Sequence, residues 1–109
     1  MIELNSLYPI RDCDFEEIDS LVVVFYLNKK PSFIEKIFFK KQLNKPYKID
    51  LDEIGSFIWH LCDGKINVEE IIKTAQSHFN EKIEPAEQRV HLFVNQMNKN
   101  HLIRLYEKK

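Results

Sequence analysis

The fold this sequence predicts is a small antiparallel sheet of about three strands followed by three α-helices, an α+β domain of winged-helix type. Three observations lead there. The run SLVVVFYL (20–27) is dense in β-branched and aromatic residues between two polar stretches, the composition of a strand. Beyond residue 50, two successive stretches carry apolar residues at helical spacing behind capping residues. A third stretch of the same kind opens on Glu84-Pro85, and proline suits the first turn of a helix.

The elements follow in chain order. CDFEEI (13–18) is expected to be a short strand that returns into SLVVVFYL through a turn at Asp19 and Ser20. The segment 28–45 is ambiguous: Ile34, Ile37 and Phe38 fit a helical stripe opened by Pro31, with Lys36, Lys40 and Lys41 on its polar side, whereas residues 33–39 also suit a strand. YKIDL (47–51) alternates polar and apolar residues, so one face of a short strand would lie on a core. Asp50, with Glu53 three residues later, resembles a capping box, and Ile54, Phe57, Ile58 and Leu61 mark one apolar helix face. Asp63-Gly64 is the expected stop, since glycine accepts the left-handed conformation common after a helix.

Asn67 and Glu70 form a second box, with Ile66 and Ile71 as its hydrophobic staple and Val68, Ile71, Ile72, Ala75 and Phe79 as the buried stripe. The third helix carries Ala86, Val90, Phe93, Val94 and Met97 inward and frays near residues 98–100. HLIRLYE (101–107) is either a last strand or an extension of that helix. Gly55 lies inside the first helix, where glycine costs roughly 0.5–1 kcal/mol relative to alanine. A packing role follows: a neighbour such as Phe93 or the strand at 47–51 approaches its backbone closely.

A chain of 109 residues is the length of one domain, so residues 1–109 are read as a single unit. With 44% hydrophobic and 30% charged residues it falls in the ordinary globular range. No apolar window reaches the roughly 18 residues a membrane span needs, and no secretion signal is evident at the start, so a cytoplasmic location is expected. Cys13 and Cys62 lack metal-ligand spacing and are expected to be thiols; His60 and Cys62 fall on different helix faces. No metal or cofactor is expected. Charge is uneven: residues 1–27 carry six acids against Arg11, and residues 28–48 carry seven lysines against Glu35. That pattern is either a pair of solvated surfaces or a basic patch for an acidic partner.

Catalysis is not expected, because Ser32, Ser56 and Ser77 have no nucleophile setting, no Gly-rich phosphate loop exists and the carboxylates read as helix caps. A DNA-binding winged helix is the main competitor: the third helix offers Gln88, Arg89, Asn95, Gln96 and Lys99. Against it stands a net charge of −1, since phosphate neutralisation supplies most non-specific affinity. A structural adaptor without a peptide ligand, docking through residues 33–39, is the third reading.

YKIDLDEIGSFIWHLCDGKINVEEIIKTAQSHF, followed by PAEQRVHLFVNQMNKNHLI, resembles the PqqD family. The shared pattern is a leucine opening the first helix, then Gly55, an apolar run into Asp63-Gly64, and a Val-Glu-Glu-Ile start to the second helix. The likeness covers about residues 46–105, with RDCDFEE and SLVVVFYL similar to the family's first two strands; the lysine-rich stretch at about 28–45 departs from it as an insertion. The resemblance implies a RiPP recognition element: a non-catalytic module that captures the leader of a ribosomally made precursor peptide. It then presents that leader to a modifying enzyme, often a radical S-adenosylmethionine enzyme. The leader would add as a strand along Tyr47, Lys48, Ile49 and Asp50 and lie against Arg89, Phe93 and Gln96 of the third helix. Those three residues, at spacings of four and three, share one side of that helix.

Overall fold

Residues 3–26 and 47–107 are described by the computed structural model. After a 3-10 turn at Leu4–Ser6 the chain forms β1 (Tyr8–Arg11), then the hairpin β2 (Asp14–Ile18) and β3 (Leu21–Tyr26). Asp19 and Ser20 close this hairpin with φ of 54° and 70°, and Ile18 pairs with Leu21 across them. Positive φ at both central residues is the requirement of the type I′ turn, whose twist matches that of the strands. β4 (Tyr47–Asp50) pairs antiparallel with β3, so the sheet has the order β2-β3-β4. Its central strand buries Val22, Val23 and Val24 in succession, which is why the sequence there is continuously apolar rather than alternating.

Three helices follow: α1 (Glu53–Leu61), α2 (Val68–Phe79) and α3 (Ala86–Lys99). The predicted Asn67–Glu70 box is present, with Glu70 N–H donating to Asn67 Oδ1 at 2.9 Å and Asn67 N–H donating to Glu70 Oε1 at 3.1 Å. The cap of α1 differs from the expectation. Asp52 caps it rather than Asp50, accepting from Gly55 N–H at 2.7 Å. The reason is the sheet: Asp50 still pairs with Val23, and Leu51 N–H donates to Val22 O at 2.9 Å, so the strand conformation persists two residues longer.

The ambiguity at 101–107 resolves as strand β5 (Ile103–Tyr106), paired antiparallel with β1 in a separate two-stranded sheet. The stretch RDCDFEE is therefore not one strand: Arg11 ends β1 and Asp14 begins β2. Arg11 ties this second sheet to α1, its Nη1 donating to the carbonyls of Trp59 and His60 at 2.9 Å each. A cation at that place complements the negative end of a helix. Gly64 sits where β1 passes: its φ is +81°, and a Cβ there would lie 2.6 Å from Ile10 Cγ1. The core joins both sheets to all three helices through Val22, Val24, Ile58, Trp59, Ile71, Val90, Val94 and Ile103. Each fully buried side chain of this size stabilises the fold by about 1.5–3 kcal/mol relative to exposure. The lysine-rich stretch at 28–45, and with it the reading of 31–43 as a helix, lies outside the described residues.

Both cysteines are thiols, Cys13 half-buried and Cys62 buried. Burial pushes the Cys62 thiol from 9.0 up to about 12, with Arg11 partly opposing and Asp63 adding to the rise. In native protein at pH 8, Cys13 should therefore react first with a thiol reagent such as DTNB and Cys62 only on unfolding. Equal rates for the two would contradict the burial. Because the folded value is the higher one, the neutral thiol contributes stability in full below pH 9 and loses it as pH rises towards 12. Denaturant unfolding between pH 7 and 11 should show this decline, and a Cys62→Ala variant should lack that component.

Candidate functional site

The pairing of β3 with β4 decides which backbone groups of β4 are available. In an antiparallel ladder, hydrogen-bonded and non-hydrogen-bonded pairs alternate. Leu51 N–H donates to Val22 O, so 22/51 is a hydrogen-bonded pair, and Val24/Ile49 and Tyr26/Tyr47 follow in the same phase. The intervening residues Lys48 and Asp50 therefore turn their N–H and C=O groups away from β3, toward the outer edge. Among the described residues nothing pairs with that edge. Such a row of unpaired groups is a template for another extended chain.

Ser56 completes this end of the sheet. It is buried, its Oγ accepts from Val22 N–H at 2.8 Å and donates to Leu51 O at 3.4 Å, while its own N–H donates to Asp52 O at 2.8 Å. The hydroxyl thus stands between the last pair of the ladder and anchors it to the first turn of α1. Ser56 was read from the sequence only as a serine without a nucleophile setting. The signal that could have found it is a small polar residue one turn into a helix that follows directly on a strand.

Gly55, beside it, is the point where Phe93 of α3 comes close to α1, near Leu51, the residue that follows β4. A Cβ on Gly55 would meet Phe93 Cε2 at 3.4 Å, Leu51 Cβ at 3.4 Å and Asp52 Oδ1 at 3.2 Å. The close approach expected from the sequence is thus present, with both neighbours that were named. Phe93 is half-buried against the core. Arg89 and Gln96, one turn before and after it, are exposed on the same side of α3. Tyr47, Lys48, Ile49 and Asp50 form β4, with Ile49 half-buried and Lys48 and Asp50 exposed. Leu92, absent from the sequence-based set, lies next to Phe93 and is 59% exposed. A large apolar side chain that exposed, three residues after Arg89, adds apolar surface to that side.

The other edges differ in character. β2 carries Asp14, Glu16 and Glu17, all exposed, and Glu17 pairs with His60 at 2.7 Å; charged side chains are a usual means of blunting a sheet edge. On β5 the intervening Arg104 is held by Asp12 at 2.9 Å. Among the described residues no three His, Cys, Asp or Glu side chains are placed to hold a metal ion, and no helix is long and apolar enough to cross a membrane.

The family model described as Coenzyme PQQ synthesis protein D (PqqD) matches residues 43–103, a span that includes β4, the three helices and the first residue of β5. No curated protein and no solved structure matches the chain.

Proposed function

Because the chain belongs to the PqqD family, we propose that it is a non-catalytic accessory protein that binds the leader of a ribosomally made precursor peptide by strand addition and presents it to a modifying enzyme. The family is an accessory one in coenzyme PQQ synthesis, which supports both a peptide-binding role and a biosynthetic partner enzyme. A radical S-adenosylmethionine enzyme is the partner we favour. The observation that carries the reading is the outer edge of β4. It presents the backbone groups of Lys48 and Asp50 on a strand that leads through Leu51 into α1, where Phe93 of α3 lies close to Gly55. Strand addition draws affinity from main-chain hydrogen bonds and specificity from alternate side chains.

The test is a titration of isotope-labelled protein with the leader segment of a short precursor peptide sought in the gene neighbourhood. Amides of Lys48, Ile49 and Asp50 should shift together with those of Arg89, Phe93 and Gln96. Random duplex DNA at physiological salt should shift little. Tight DNA binding with a steep salt dependence would instead favour a winged-helix DNA reader.

A further inference from the structure

The phase of the ladder also predicts what a bound strand must look like. Lys48 and Asp50 are the residues whose backbone groups face outward, and their side chains are exposed, while Ile49 between them is half-buried against the core. Residues directly opposite one another on paired strands present their side chains to the same face. A residue added opposite Ile49 therefore points to the core side, where the same face continues into buried Leu51. Residues opposite Lys48 and Asp50 point to solvent beside an ammonium and a carboxylate, neither of which is paired with another side chain among the described residues. Both existing pairings of this sheet are antiparallel, the more stable arrangement per residue.

Resting on the peptide-binding reading above, we infer that the β4 edge selects an antiparallel segment with the pattern basic–apolar–acidic, set opposite Asp50, Ile49 and Lys48 in that order. The order follows from direction alone, because an antiparallel strand read from its N-terminus meets residue 50 first. Opposite-charge pairs across strands are worth about 0.2–1 kcal/mol each, and like charges oppose pairing. Two such pairs correspond to a preference of roughly 2- to 30-fold.

The probes are three synthetic nonapeptides, blocked at both ends and with identical Thr/Val flanks, carrying Lys-Leu-Glu, Glu-Leu-Lys or Lys-Ser-Glu at the centre. Affinity is read from the shifts of the Lys48 and Asp50 amides. Lys-Leu-Glu should bind more tightly than Glu-Leu-Lys, a peptide of identical composition and charge, by at least the roughly 2- to 30-fold of the two favourable pairs, since the latter sets like charges opposite both residues. Lys-Ser-Glu should bind more weakly than Lys-Leu-Glu. The double variant Lys48→Asp/Asp50→Lys, unchanged in net charge and altered only at exposed positions, should invert the preference between the first two. Equal binding of all three at β4 overturns the register while leaving peptide binding intact, as does a preference of the wild type for Glu-Leu-Lys. If no probe shifts Lys48 or Asp50 this inference fails, and the leader titration then decides separately whether peptide binding fails with it.

Discussion

Gly55→Leu is expected to lower stability by roughly 1–3 kcal/mol, and more if α3 cannot move, which for a domain near this size is a drop in Tm of about 4–8 °C per kcal/mol. The Cβ alone is nearly accommodated, with contacts of 3.2–3.4 Å to Asp52, Leu51 and Phe93. The remaining carbons of leucine have no such room, because Phe93 and the Leu51 side chain already occupy the space above the helix backbone. Gly55→Ala should stay within about 1 kcal/mol of the wild type, since its gain in helix propensity offsets the slight crowding of the Asp52 cap. The leucine variant should also weaken peptide binding, because Phe93, a proposed peptide contact, must move away from α1. Thermal unfolding followed by circular dichroism checks the first point; a leucine variant that melts with the wild type would show that α3 has no need of the close approach.

Removing a single oxygen at Ser56 is expected to cost a comparable amount. Ser56→Ala leaves the Val22 N–H, inside the buried run of β3, without its 2.8 Å acceptor. An unsatisfied buried donor costs about 1–3 kcal/mol. The loss should be local in its first effect. Native-state hydrogen exchange should show the Val22 amide losing protection, and the Leu51 amide with it, before the helices do. The outer edge of β4 depends on that last pair for its phase, so binding at Lys48 and Asp50 should weaken beyond what the stability loss explains. A variant with unchanged stability and a still-protected Val22 amide would mean that Leu51 O takes over as the direct acceptor.

Much of this fold was legible because its determinants are local. The Val-rich run of β3 announces a strand through side-chain shape, and the Asn67–Glu70 box announces a helix start through two hydrogen bonds that span three residues. Gly55 could be read as a packing position because a mid-helix glycine is costly without a compensating contact. Other features were out of reach. Asp50 and Asp52 are equally good caps by sequence, and only the hydrogen bond from Leu51 to Val22 assigns the role to Asp52. β1 and β5 are short, β1 contains Pro9, and their pairing of Tyr8 with Tyr106 joins opposite ends of the described chain. No nearby residue signals such a contact.

For the candidate site the division is sharper. The sequence by itself determined that residues 47–51 would be a strand, that a helix with an embedded glycine would follow, and that Phe93 was a suitable neighbour for that glycine. These are consequences of alternation, capping and helical spacing, which operate over a few residues. Only the tertiary structure decided that the outward groups belong to Lys48 and Asp50 rather than to Tyr47 and Ile49. Hydrogen bonds alternate along a strand with a period of two, so a shift of one residue exchanges the two sets. The phase is set from outside the strand, by the pairing of Leu51 with Val22 and the buried hydroxyl of Ser56 that closes it.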